Sequence, residues 1–226
     1  MSALAVDPEK TVQRLLCPSM MCARFDNLAQ ETQILDESGA DIFHLDVMDG
    51  RFVHNYGLGL GDVQCIRRHT KKPVDVHLMV EKPSETADIF LDLGIDILYI
   101  HAETDPHLAR TLAHIRERGC RAGLALNPGT SLEMVECVLP LVDYLMFMTV
   151  NPGFAGQAYL PFVERKITKA AEWKKEYGFR IAVDGAISHQ AIERLGSLGA
   201  EVFVLGTSAL FGKGGYREIL QALHTR

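Results

Sequence analysis

The sequence predicts a single α/β domain, a (β/α)8 barrel, from three observations. Short apolar and β-branched runs alternate with stretches of helical periodicity along the chain. The segments ESGAD, DLGID, ERGCR and SLGAE recur where a helical stretch gives way to a strand, each with glycine at the junction, as a repeated βα unit would have. The length of 226 residues holds about eight such units, within the ~200 to 250 residues of a one-domain α/β barrel. A doubly wound sheet would carry a G-x-G-x-x-G turn after its first strand, and none follows 15–18. Solenoids share the period, but eight units close a barrel.

The elements are expected in this order. Residues 1–14 form an N-terminal extension and 15–226 the barrel. The strands are 15–18, 41–47, 73–80, 96–102, 121–127, 144–150, 180–185 and 201–206. Runs such as LALN, LMFMTV and VFVLG are almost continuously apolar, as strands covered on both faces are. Amphipathic stretches lie at 25–38, 84–93, 106–118, 131–138, 161–177, 188–198 and 216–224. Pro83, Pro106 and Pro161 stand where helices begin, and Gly39, Gly94, Gly119 and Gly199 where they end. No helix is assigned between the second and third strands, where His54 and His69 read as loop or surface residues.

Composition narrows the function classes. With 47% hydrophobic and 23% charged residues the chain is an ordinary globular protein. A net charge of −6 with no block of Lys and Arg argues against a nucleic-acid binder, but not against a small anionic substrate. Five dispersed cysteines, an odd number, read as reduced thiols in the cytoplasm. The start, MSALAVDPEKTVQR, carries acidic residues and no apolar run, unlike a signal peptide. The longest uncharged stretch, 144–163, is broken by Asn151, Pro152, Gly153 and Gly156, so no membrane span is expected.

Barrel enzymes build their sites at the C-terminal ends of the strands. Polar residues in or after the apolar runs are Ser19, His44, Asp46, His77, His101, Glu103, Asn127, Asn151 and Asp184. His44 and Asp46 are two apart and share a strand face. Each of these residues alone reads equally well as a hydrogen-bonded core group. Two His and two Asp on three strands, if all point inward, make a cluster suited to one divalent ion such as Zn, Fe, Mn or Co. Glycine-rich loops follow strands six, seven and eight: NPGFAGQ (151–157), VDGA (183–186) and LGTS (205–208). Each alone is ordinary turn chemistry, but three at consecutive strand ends, poor in Lys and Arg, suit a phosphate cradle of main-chain N–H groups and the Thr207 hydroxyl. Met48, Met79 and Met148 also end strands, either as core filling or as an apolar wall to the site.

These motifs together resemble the ribulose-phosphate 3-epimerase family. The resemblance rests on CPS, HLDVMDGRFV, DVHLMV, HAE, LNPGT, MTVNPGFAGQ, AVDGAI and VFVLGTSALF, in family order from about residue 17 to 211. It implies a TIM barrel of the ribulose-phosphate-binding type that inverts C3 of a ketose phosphate with one divalent metal ion, and a homo-oligomer. By matching motifs, His44, Asp46, His77 and Asp184 take the metal-ligand positions, and Asp46 and Asp184 the two acid/base positions. Ser19, His77, Gly153, Phe154, Ala155, Gly156, Gly185, Ala186, Gly206 and Thr207 correspond to substrate and phosphate contacts. Met48, Met79 and Met148 match the family's methionine cluster.

The chain departs from the pentulose-phosphate pattern at His54, where Pro is usual, and at Ala186, where a second Gly is usual. PSMMC, GFAGQ and GTSALF look closer to the D-allulose-6-phosphate 3-epimerases. The expected reaction is D-ribulose 5-phosphate to D-xylulose 5-phosphate, with D-allulose 6-phosphate to D-fructose 6-phosphate as the alternative. A phosphate-binding barrel decarboxylase would need an Asp-x-Lys-x-x-Asp strand end, which DVMD at 46–49 lacks. A non-catalytic sugar-phosphate-binding barrel would have lost a ligand or base, yet all four positions are filled.

Overall fold

The computed structural model describes residues 14–225, so the expected N-terminal extension lies outside the described residues, Arg14 excepted. The strands are β1 (Leu15–Pro18), β2 (Phe43–Met48), β3 (Val74–Met79), β4 (Ile97–His101), β5 (Arg121–Leu126), β6 (Tyr144–Met148), β7 (Arg180–Asp184) and β8 (Val202–Leu205). All pair in parallel, in the order β1-β8-β7-β6-β5-β4-β3-β2. A parallel bridge between Ser19 and His44 brings β1 back to β2 and closes the (β/α)8 barrel. Every strand overlaps the run expected for it.

Around it lie α1 (Leu28–Ser38), α2 (Leu60–His69), α3 (Pro83–Leu91), α4 (Leu108–Glu117), α5 (Glu164–Tyr177), α6 (His189–Ser197) and α7 (Tyr216–His224). Two features differ from the sequence expectation. The 131–138 stretch is a 3-10 helix, Leu132–Leu141, with Pro140 inside it, where an α-helix would need the N–H that proline lacks. The β2–β3 connection contains α2, so His69 belongs to a last helical turn, with Nδ1 2.7 Å from Cys65 O. The start of α2 is hidden in the glycines of GLGLGD, and the helix buries only Val63 and Ile66. Its first turn is set by Asp62, whose carboxylate accepts the Gly59 N–H at 2.8 Å. His54 is exposed, as expected.

Strand alternation sorts the side chains into two cores. Outward residues such as Leu45, Val76, Ile100, Phe147, Val183 and Phe203 pack under the helices. Inward residues Cys17, Ile42, Ile97, Tyr99, Met146, Ala182, Val202 and Val204 fill the barrel. Tyr99 fits only because its β5 register partner is Gly123, where a Cβ would sit 2.3 Å from the ring.

Two of the repeated junctions, and the end of the 3-10 helix, do more than end a helix. Gly39, Gly94, Gly119 and Gly199 adopt the left-handed φ values of 104°, 71°, 79° and 107°. An acid just before a strand then accepts a main-chain N–H of its neighbour: Asp41 from Leu16, Asp96 from Val74 and Asp143 from Ala122, at 2.8, 2.8 and 2.9 Å. The same acids donate their own N–H to those residues' carbonyls. Each clamp satisfies backbone groups at the barrel's N-terminal rim, opposite the mouth.

Candidate active site

Registration of β2 against β3 builds the floor of the mouth. His44 pairs with Asp75, Asp46 with His77 and Met48 with Met79, all on the inward face. Met148 pairs with Asp184 across β6 and β7. Thr149 fixes the end of β7, its N–H donating to Asp184 O at 2.7 Å and its hydroxyl at 3.0 Å.

One ligand atom each from His44, Asp46, His77 and Asp184 lies within 4.8 Å of the other three. Asp46 Oδ1 is 3.2 Å from both His44 Nε2 and His77 Nδ1. Asp184 Oδ2 is 3.9 and 3.8 Å from the same nitrogens. The Ser19 hydroxyl donates to Asp46 Oδ2 at 2.8 Å. Two imidazoles and two carboxylates in so small a buried space fit a first-row divalent cation, since like charges there need a positive partner.

The electrostatics of the cluster follow from crowding. Burial alone would raise the Asp46 pKa, but the charge and hydrogen bond of His44, the largest opposing influence, help hold the carboxyl far below its ordinary range. Burial and then the Asp46 charge push Asp184 up to about 7. Burial opposes a charged His44, yet Asp75 and Asp46 outweigh it and raise its pKa well above the usual value. Burial lowers His77 and takes His101 down to about 4. Against the effect of burial, His101, Thr130 and the Asn127 N–H bring Glu103 down to about 2.

A pocket opens over this floor. Ser19, Asp46, Asp184, Met48, Met79 and Met148 line it, together with all of the loop residues expected to meet phosphate: Gly153, Phe154, Ala155, Gly156, Gly185, Ala186, Gly206 and Thr207. No lysine or arginine is among its described lining residues, so main-chain N–H groups and hydroxyls are what it offers an anion. Gln157 braces the first loop by donating to Asn151 O and Phe154 O, and Asn55 donates to Gly153 O. His44 and His77 lie beneath the lining, each 0% exposed.

The remaining candidates stand to one side. His101 Nε2 is 2.8 Å from His77 Nε2, and its Nδ1 is 3.1 Å from Glu103 Oε2. Asn127 acts through its backbone, its N–H donating to Glu103 and its carbonyl accepting from Lys166. Sequence reasoning missed Asp75, which is 1% exposed and contacts His44 at 2.5 Å. The signal was present: DVH puts an acid on the inward face two residues before His77. Met21 and Cys22, in the 3-10 turn after β1, also line the pocket.

Comparison with known proteins gives a consistent picture. The model of the family described as "Ribulose-phosphate 3 epimerase family" matches residues 15–211. Ribulose-phosphate 3-epimerase of Synechocystis sp. is 42% identical over 210 residues, covering 91% of each chain. That of Bacillus subtilis is 40% identical, covering 88% of this chain and 92% of its own. That of Escherichia coli K12 is 35% identical, covering 94% and 96%. Among solved structures, a 3-hexulose-6-phosphate synthase aligns with TM-score 0.66 and 18% identity, covering 93% of this chain and 98% of its own. A 3-keto-L-gulonate-6-phosphate decarboxylase from Vibrio cholerae aligns with TM-score 0.69 and 13% identity, covering 95% and 98%. At such identities the two structures speak to the fold alone. Among the described residues no helix is long and apolar enough to cross a membrane.

Proposed function

The chain belongs to the ribulose-phosphate 3-epimerase family, carbohydrate epimerases of the isomerase class, and we propose that it interconverts D-ribulose 5-phosphate and D-xylulose 5-phosphate by a two-base inversion at C3. The observation that carries this reading is the approach of Asp46 and Asp184 to one small cluster from two sides of the mouth, both lining the pocket. They stand on β2 and β7, which β1 and β8 separate.

Inverting C3 removes a proton beside a carbonyl and returns one to the opposite face, so a carboxyl group on each face meets the need. Asp46 and Asp184 take those two roles. The Ser19 hydroxyl orients Asp46, and the Thr149 contacts hold the end of β7 that carries Asp184. His44, Asp46, His77 and Asp184 would hold Zn2+, Fe2+, Mn2+ or Co2+, which when bound polarises the substrate carbonyl and stabilises charge on the enediolate. The loops at Gly153, Gly156, Gly185, Ala186, Gly206 and Thr207 bind the phosphate, anchoring the sugar while Met48, Met79 and Met148 keep water from the reacting carbon.

The named relatives at 35 to 42% identity favour the pentulose phosphate over D-allulose 6-phosphate. Incubation with each sugar phosphate in D2O tests it: deuterium should enter C3 of the pentulose, and exchange confined to the hexulose would overturn the assignment. Asp46→Asn and Asp184→Asn should each lower turnover by about 100-fold or more with the fold retained. Stripping metal with a chelator should abolish exchange, and Mn2+, Co2+, Zn2+ or Fe2+ should restore it. The reading extends to the cytoplasm, which five unpaired thiols support, and to a homo-oligomer that light scattering checks.

A further inference from the structure

We propose that Glu103 and His101 are positioning residues that fix the tautomer of His77, so that a lone pair rather than a proton faces the metal cluster. The inference rests on the reading of His77 as a ligand through Nδ1.

The chain of donors runs one way. Glu103 Oε1 accepts the Asn127 N–H at 2.8 Å and the Thr130 hydroxyl, so the carboxylate is held as an acceptor. Its Oε2 lies 3.1 Å from His101 Nδ1, which must therefore carry the proton. A neutral imidazole protonated at Nδ1 has its lone pair on Nε2. That lone pair is 2.8 Å from His77 Nε2, so His77 must donate from Nε2. The lone pair of His77 is then on Nδ1, which faces Asp46 and Asp184. Both histidines are 0% exposed, so water does not substitute for either partner. The Phe52 ring packs on His101 at 4.7 Å between centroids. Lys166 holds the loop that presents the Glu103 donors, its Nζ donating to Asn127 O and Thr130 O at 2.8 Å each. Outer partners of this kind set ring orientation and ligand basicity in metal sites.

Glu103→Gln reverses the relay. The amide oxygen stays with the Asn127 and Thr130 donors, which leaves the amide N–H facing His101 Nδ1. Each proton then shifts to the other nitrogen, and His77 turns an N–H toward the cluster. The test is 15N NMR of ring-labelled histidine in the full chain, metal-free and Zn2+-loaded, with Zn2+ affinity measured against a chromophoric chelator. Expected is an Nε2–H His77 in the metal-free wild type, an Nδ1–H His77 in E103Q, and an about 10- to 100-fold weaker Zn2+ affinity in E103Q. An Nδ1–H His77 in the metal-free wild type overturns the proposal without any variant, even if E103Q does not fold. So does an E103Q that keeps wild-type tautomer and affinity. His77→Asn separates the two readings: wild-type Zn2+ affinity there removes His77 from the ligand set, whereas weak binding in H77N beside normal binding in E103Q overturns the relay alone.

Discussion

His44 Nδ1 approaches Asp75 Oδ1 to 2.5 Å across a register pair of β2 and β3, inside the barrel and below the cluster of His44, Asp46, His77 and Asp184. The contact is an ion pair without hydrogen-bond alignment, and neither Asp75 oxygen has a hydrogen-bond partner among the described residues. Burial raises the Asp75 pKa, so an acid is costly there, and the side chain it faces is His44. A carboxylate at Nδ1 keeps the proton on that nitrogen and leaves Nε2 free toward Asp46 and Asp184. Asp75→Asn should weaken Zn2+ binding by about 10- to 100-fold in chelator competition. Unchanged affinity would count against this role.

Metal loading should depend on pH with a definite sign. Without an ion, Asp184 keeps its proton up to about pH 7, because burial and then the Asp46 charge oppose its ionisation. His44 is held protonated above its ordinary range by Asp75 and Asp46 against burial. An arriving cation must displace these protons, so apparent affinity rises with pH and falls as pH drops through 7. Zn2+ titrations between about pH 6 and about pH 8 check this, and a flat or inverse profile would rule out coupling between metal and proton binding.

The acid clamps at the other end of the barrel should govern stability and leave chemistry alone. Asp143 Oδ2 accepts the N–H of Ala122, a residue with 0% exposure. Asp143→Ala leaves that N–H without its partner, at a cost of about 1–3 kcal/mol. Urea unfolding measures the loss, and turnover per folded molecule should match the wild type. A variant as stable as the parent would mean that water replaces the carboxylate.

Much of this was legible because two periodicities coincide in the chain. Alternation placed His44 with Asp46 on one face, and the glycine junctions counted out the βα units. What escaped has physical causes. α2 opens among Gly57, Gly59 and Gly61, so its first turn reads as loop, and its burial through Val63 and Ile66 is too sparse to show a period. Asp75 obeys the same alternation as His77, but its partner is on another strand, and only the β2–β3 register reveals it. Likewise His101 and Glu103 stood out as polar residues at a strand end, while their link to His77 depends on strand packing that spacing does not encode.

Adjacent residues in the loop after β7 should respond oppositely to small substitutions. Gly185 has φ +109°, and a Cβ there would lie 2.4 Å from Val150 Cγ2 and 3.0 Å from Val150 N. The residue after it, Ala186, has φ +52° with a Cβ already in place. For an L-residue the left-handed region costs about 1–2 kcal/mol, whereas glycine enters it freely but gives up about 0.4–1 kcal/mol of unfolded-state entropy. Ala186→Gly should therefore be neutral or raise stability by about 1 kcal/mol, the difference of those terms. Gly185→Ala forces Val150 aside and strains the backbone beside Asp184, so it should cost about 1–3 kcal/mol from overpacking and reduce turnover as well. Urea unfolding and C3 exchange in D2O on both variants decide it. If Ala186→Gly is the more damaging change, the Ala186 methyl group, rather than the loop backbone, is what the pocket uses.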